Sequence, residues 1–193
     1  MRKPISLFLF ILLLFSAQSL FSQRTVRMNL ERIIGNAAII FHGTVTHVES
    51  VVDSETNIPA TFVTFAVKEN FYGCSQNSIT IKMLGGKSQK RNVKLSEMPR
   101  YSIGEEVISA FYAPSPIGFS SPVGMGQGTF SVVTDSQKKT AFVKSSFNNS
   151  QLFANLQHKS ALAKAAWISS PNEEISLDDF SQTIRSLVTI LKK

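Results

Sequence analysis

The stretch AAIIFHGTVTHVESVVDSETNIPATFVTFAVKENF, residues 37–71, decides the fold because two long runs in it alternate apolar and polar side chains. In residues 37–52, apolar side chains such as Phe41 fall on one side of an extended chain and polar ones such as His42 on the other. Residues 60–71 repeat this period of two after a polar turn. The stretch therefore predicts two long strands paired as an antiparallel hairpin.

The same alternation predicts further strands beyond the hairpin, separated by Gly- and Pro-containing turns. They cover residues 78–84, 93–95, 107–112, 124–133, 140–144 and 151–153. Residues 29–35 predict a short helix capped by Asn29, and the tail predicts an amphipathic helix capped by Ser176 together with Asp179. We expect a mainly β protein, either a small OB-like barrel or a curled antiparallel sheet, with the C-terminal helix packed on it.

The domain organisation follows from these elements and from the N-terminal segment. Residues 1–19 have the basic start, apolar run and small-residue end of a secretory signal peptide, with cleavage near residue 23 or an uncleaved anchor as alternatives. An OB-like domain is predicted for 24–153, a linker with a short helix for 154–175, and the amphipathic helix for 176–193. We expect export to the periplasm or the extracellular space, and no integral membrane segment after signal removal. Cys74 is the only cysteine, so no internal disulfide is expected.

A glycine-rich stretch, SPVGMGQGTFSVV at residues 121–133, has two interpretations: a phosphate-binding loop, or a strand bare on one face. A dinucleotide-binding loop needs a helix after its glycines, whereas Thr129 begins a β-branched, alternating run. The stretch itself also contains no Gly-Lys-Ser/Thr. The stretch therefore predicts an extended strand whose missing side chains make room for a bulky neighbour.

The sequence offers no arrangement typical of catalysis or metal binding. The three histidines, His42, His47 and His158, are scattered, and zinc sites need at least three protein ligands. No Gly-x-Ser-x-Gly elbow occurs, and the acidic pairs are adjacent residues, which diverge on a helix or strand. We therefore predict no catalytic, cofactor-binding or metal-binding residue and no enzymatic activity, with a hydrolase as the least favoured alternative.

Five basic residues form the surface feature with the clearest functional interpretation. They are Lys82, Lys87, Lys90, Arg91 and Lys94. With Phe62 and Tyr101 expected to be exposed nearby, this cluster predicts a surface for anionic ligands, and a solvated loop is the alternative. The chain carries a net charge of +7. For an exported protein, an anionic glycan, a lipid head group or another exported protein is the expected partner, and nucleic acid is not.

Two resemblances accompany these patterns. LERIIGNAAIIFHGTV, residues 30–45, and TFAVKENFYG, residues 64–73, resemble the first strands of netrin-type and TIMP-like modules, which open an OB-like barrel. Residues 30–133 also resemble a group of uncharacterised exported bacterial proteins. The resemblances imply an OB-like barrel and carry no functional residue over. The expected function is an exported, non-enzymatic binding or envelope-associated module, with a TIMP-like modulator of an extracellular protease as the alternative.

Overall fold

The structure is a computed structural model that describes residues 26–87, 92–93, 95, 97–135, 140–145, 149–159 and 174–193. The predicted signal peptide lies outside the described residues, and so does most of the predicted linker.

Within the described residues, nine strands and three α-helices are present. The strands are β1 Ile39–Val52, β2 Pro59–Tyr72, β3 Ser78–Leu84, β4 Gly86–Lys87, β5 Asn92–Val93, β6 Glu106–Phe111, β7 Thr129–Asp135, β8 Thr140–Ser145 and β9 Ile175–Ser176. The helices are α1 Leu30–Asn36, α2 Asn149–Leu152 and α3 Leu177–Leu191.

Seven of the strands form one sheet in the order β3-β2-β1-β6-β7-β8-β9, while β4 and β5 pair separately. All neighbours in the sheet are antiparallel. Register shifts in β1 mark bulges, which bend a strand and increase its twist. No ladder joins β3 to β9 among the described strands. The predicted mainly β class is confirmed, and the sheet is curled without being closed into a barrel.

The two faces of the sheet carry two separate hydrophobic cores because successive side chains of a strand point to opposite faces. In β6, Ile108 and Ala110 face one core, and Val107 and Phe111 face the other. The aromatic core consists of Phe41, Val45, Val63, Phe65, Ile81, Met83, Tyr101, Val107 and Phe111. The helix-side core, covered by α1 and α3, centres on Leu30, Ile33, Ile34, Ile40, Ile108, Phe130, Val143, Phe180, Ile184 and Leu187.

Both predicted helix caps are confirmed. The Asn29 side chain accepts a hydrogen bond from the Arg32 amide at 3.0 Å. The Ser176 hydroxyl accepts one from the Asp179 amide at 3.1 Å. Each bond satisfies an amide that the first turn of a helix cannot pair by itself. The sequence-based starts of α1 and α3 are therefore correct.

Helix α3 is packed on the sheet, as predicted. Phe180, Ile184 and Leu187 are fully buried, and the Phe180 ring meets the Phe130 ring edge-on at 4.9 Å. Beyond the helix, Lys192 donates to the carbonyls of Gly35 and Ala37. Its burial lowers the pKa of this ammonium group. The C-terminal end of the chain is thereby joined to the end of α1.

The strand predicted for residues 151–153 is wrong, because this segment contributes to the short helix α2 and a following turn. Leu152 and Phe153 are adjacent, and both are buried in the helix-side core. Neighbouring residues of a strand point to opposite faces, so an extended chain would expose one of the two. A helical turn allows both side chains to reach the same core.

The extended strand predicted for the glycine-rich stretch is also wrong in its first half. Met125–Gly128 form one turn of 3-10 helix, and β7 begins only at Thr129. Gly124 and Met125 have φ values of 62° and 60°, in the left-handed region. The turn brings the Gln127 side chain back to the Gly124 carbonyl. A period of two in the sequence is therefore compatible with a tight turn followed by a strand.

The backbone amides of this turn are used within the protein. The amides of Met125, Gly126 and Gln127 donate to the carbonyls of Pro122, Glu97 and Gly124, respectively. A phosphate-binding loop requires such amides to point at its ligand, and a helix to follow. Here the three amides have protein acceptors and a strand follows. The turn therefore does not present these amides to a phosphate group.

Candidate ligand-binding cavity

A cavity of about 500 Å³ lies at one end of the aromatic core. Val48, Val63 and Met83, from β1, β2 and β3, form one wall. The segment from Met98 to Tyr101 forms part of the opposite wall. Its volume is within the range of about 300–1,000 Å³ that is usual for small-molecule sites.

Two hydroxyl groups in the cavity wall are already paired. Thr61 donates to the Gly85 carbonyl at 2.8 Å, and its oxygen lies 2.9 Å from the Ser50 hydroxyl. Because the Thr61 hydrogen is used for Gly85, Ser50 supplies the hydrogen of the second bond. Neither hydroxyl contacts a base among the described residues, so neither is activated as a nucleophile.

Tyr101 closes the inner end of the cavity. Its ring meets the Phe65 ring edge-on at 5.2 Å, and its hydroxyl lies 2.8 Å from the Thr129 hydroxyl and 3.5 Å from that of Ser109. The prediction that Tyr101 is exposed is wrong, since it is only 8% exposed. Its hydroxyl has one partner on β6, eight residues away, and another on β7, 28 residues away. The other aromatic residue predicted to be exposed, Phe62, is half-buried.

Burial raises the pKa of Tyr101 to about 12. We expect Tyr101→Phe to lower the free energy of unfolding by about 1 kcal/mol at pH 8, because the buried hydroxyl of Thr129 loses its shortest hydrogen bond and keeps only the longer one to Ser109. The wild-type tyrosine resists ionisation when folded but ionises near pH 10 when unfolded. The contribution of Tyr101 to the free energy of unfolding is therefore complete below pH 10 and is lost as the pH rises from 10 toward 12. Urea unfolding of the wild type and Tyr101→Phe between pH 8 and 11 should show that the difference between their free energies of unfolding shrinks as the pH rises. A difference that stays constant over this range would contradict the prediction.

Among the described lining residues, Arg100 is the cation, and its side chain is exposed at the rim of the cavity. Within the described parts of the chain, it has neither a hydrogen-bond acceptor nor an ion-pair partner. The described lining includes no His, Cys, Asp or Glu. The cavity therefore combines apolar walls with an unpaired positive charge at its mouth.

Lys82, one of the five predicted anion-binding residues, is engaged within the protein. Its ammonium group lies 2.7 Å from an Asp53 carboxylate oxygen, and the two side chains are 12% and 8% exposed. It also donates to the Ile117 carbonyl at 3.2 Å and lies 4.6 Å from the centre of the Phe119 ring. The hydrogen bond from Lys82, with another from Thr56, lowers the pKa of Asp53. Lys82 therefore stabilises the turn that contains Asp53 and Thr56.

The other four predicted residues lie outside the described side chains. Only the backbone of Lys87 is described, in β4, and Lys90, Arg91 and Lys94 lie outside the described residues. The predicted anionic-ligand surface stays a prediction.

The histidines contact carboxylates individually. His42 lies 2.7 Å from Glu106, which also pairs with Lys68 at 2.7 Å. Burial acts to raise the pKa of Glu106, but the hydrogen bonds from Lys68 and His42 outweigh it, and the pKa is lowered. Among the described residues, no group of three or more His, Cys, Asp and Glu could hold a metal ion. The buried Cys74 thiol is free.

A second cavity, of about 530 Å³, lies beside α1. Glu31 in its wall accepts hydrogen bonds of 2.7 Å from the amides of Gln157 and His158 and one of 3.0 Å from the His158 ring. Burial acts to raise the pKa of Glu31, but these hydrogen bonds outweigh it, and the pKa is lowered. This carboxylate fastens the segment after α2 to α1.

Sequence reasoning missed the residues that make the first cavity a candidate site. Met98 and Arg100 lie in a segment without a regular pattern, between a basic run and β6. Their role depends on contact with β1, β2 and β3, which are more than a dozen residues away. Periodicity reports only local geometry, so no signal within the segment places it over the sheet.

Comparison of the chain with protein-family models, with curated proteins and with solved structures found no match. The resemblances to netrin-type and TIMP-like modules and to exported bacterial proteins therefore stay predictions. None of the helices in the described ranges has the length and apolar character needed to cross a membrane.

Proposed function

We propose that the protein is an exported, non-enzymatic binding module whose ligand site is the cavity at the end of the aromatic core. The observation that carries the proposal is the cavity itself, about 500 Å³ in volume and walled by Val48, Val63, Met83 and Met98. The proposal of export rests on the signal-peptide pattern of residues 1–19.

The cavity is open to solvent on one side, and most of the described residues that line it have apolar side chains. Small-molecule sites are typically concave and lined mainly by apolar side chains, with a few polar groups. Two of the wall residues, Met83 and Met98, have flexible side chains that adapt to the shape of a ligand. These features favour a site for a small apolar group.

The polar groups of the cavity support binding over catalysis. The hydroxyls of Ser50 and Thr61 are bonded to each other, and that of Tyr101 is bonded to Thr129. A hydroxyl nucleophile needs an adjacent base to activate it. The described lining supplies none.

Filling the cavity should abolish binding of an apolar probe. We expect wild-type protein to bind the neutral dye N-phenyl-1-naphthylamine saturably, with increased fluorescence. Met98→Trp places a bulky ring in the wall and should weaken binding at least about tenfold, or about 1.4 kcal/mol. The measurement is a fluorescence titration.

The matched control is Val133→Trp, because Val133 is exposed on β7 and does not line the cavity. It adds the same ring and should leave dye affinity unchanged. Unfolding curves of both variants establish that they remain folded. The proposal is overturned if wild-type protein binds no dye, or if Met98→Trp binds as well as the control.

A further inference from the structure

We infer that the ligand is a single-chain amphiphile whose anionic head group binds Arg100 while its apolar chain fills the cavity. The inference rests on the proposed function and adds the chemical class of the ligand.

The inner part of the cavity offers an incoming molecule apolar contact. Val48, Val63 and Met83 supply hydrocarbon and thioether surface there. The polar atoms nearby, the hydroxyls of Ser50 and Thr61, have partners within the protein. A hydrogen-bond acceptor placed against Val63 and Met83 would give up its hydration and find neither hydroxyl hydrogen free, which is costly. The ligand's inner portion is therefore hydrocarbon.

The rim offers the opposite chemistry. The exposed Arg100 side chain is unpaired within the described residues, and no carboxylate lines the described cavity to compete for it. A guanidinium group binds a carboxylate or a phosphate through two parallel hydrogen bonds. Bonds of this kind are stronger beside an apolar wall than in open water, because the local dielectric constant is lower. The ligand's outer portion is therefore an anion.

The walls and the rim together determine the orientation of the ligand. A cationic amphiphile finds no acidic group in the described lining, and a neutral one leaves Arg100 unused. A short anion without a chain leaves the cavity empty. Only a molecule that carries both parts uses both features.

The test compares ligands of equal chain length that differ in head group. Dodecanoate, dodecyl phosphate and dodecanol would be titrated against dye-loaded full-length protein, each below the concentration at which it aggregates. We expect both anions to displace the dye at about five- to tenfold lower concentration than dodecanol. The two anionic arms separate a carboxylate ligand from a phosphate ligand.

Substitution of Arg100 identifies the group responsible. Arg100→Gln should remove the preference for the anions while leaving dye and dodecanol affinity unchanged, and Arg100→Lys should retain part of it. Arg32→Gln is the control, because Arg32 is an exposed arginine on α1 that does not line this cavity. It should behave like the wild type.

The outcomes separate the inference from the proposed function. If the wild type binds no dye, the proposed function fails, and the inference fails with it. If the dye and all three compounds bind with equal affinity, or if Arg100→Gln keeps the anion preference, only the inference is overturned. If dodecanol is preferred, the ligand is neutral and the inference is wrong.

Discussion

Gly128→Ala should lower the free energy of unfolding by about 3 kcal/mol. A Cβ atom at this position would lie 2.8 Å from the Ala110 carbonyl oxygen and 2.8 Å from both the amide nitrogen and the carbonyl oxygen of Val123. These are backbone atoms of neighbouring segments, so they cannot rotate away as a flexible side chain would. The end of the 3-10 turn would have to move away from β6, and packing of the fully buried Val123 would be lost.

Gly35→Ala provides the matched control for this substitution. Gly35 lies in α1, and a Cβ atom built there meets nothing within 4 Å. Alanine is favoured over glycine in helices by up to about 1 kcal/mol, so this variant should be neutral or slightly more stable. Chemical denaturation of both variants measures the difference. If both behave like the wild type, the close approach at Gly128 is contradicted.

Phe180→Ala should lower the free energy of unfolding by about 4 kcal/mol. Phe180 is fully buried at the start of α3, with its ring edge-on to Phe130. The substitution removes a large apolar surface and leaves a cavity between the helix and β7. Ile184 and Leu187, farther along α3, keep their contacts, so we expect a weakened protein and not an undocked helix.

Gln182→Ala, on the exposed side of the same helix, is the control for Phe180→Ala. It tests whether substitution of α3 is harmful in itself, and it should change stability by less than about 0.5 kcal/mol. The measurement is urea unfolding followed by circular dichroism. A loss under 1 kcal/mol for Phe180→Ala would mean that α3 contributes little to the helix-side core.

The long elements could be predicted because their pattern repeats over many residues. The alternation through Phe41 and Phe65 places both side chains in the aromatic core, as an alternating hairpin requires. The caps at Asn29 and Ser176 could be predicted because the residues that form them lie within one turn. Local chemistry was sufficient wherever the interacting groups are close in sequence.

The candidate site could not be predicted, because its parts meet only in the folded chain. Tyr101 reaches Thr129, and the Gly126 amide reaches the Glu97 carbonyl, across 28 and 29 residues of sequence. The glycine-rich turn misled in part for the same reason, because the Glu97 carbonyl that accepts from its Gly126 amide is distant in sequence, whereas the acceptors Pro122 and Gly124 are local. The charge of Lys82 suggested an anionic ligand, but in the folded chain this lysine pairs with Asp53 in the turn between β1 and β2.

The contact between Lys82 and the loop that contains Phe119 has a consequence for self-association. Lys82 forms a bridge with Phe119, and its carbonyl accepts a hydrogen bond from the Ser120 amide, on a strand at the border of the sheet. Unpaired backbone groups at such a border invite strands of other molecules. A foreign strand would have to displace this loop before it could pair with β3 along its whole length, so the loop hinders strand addition at this border of the sheet.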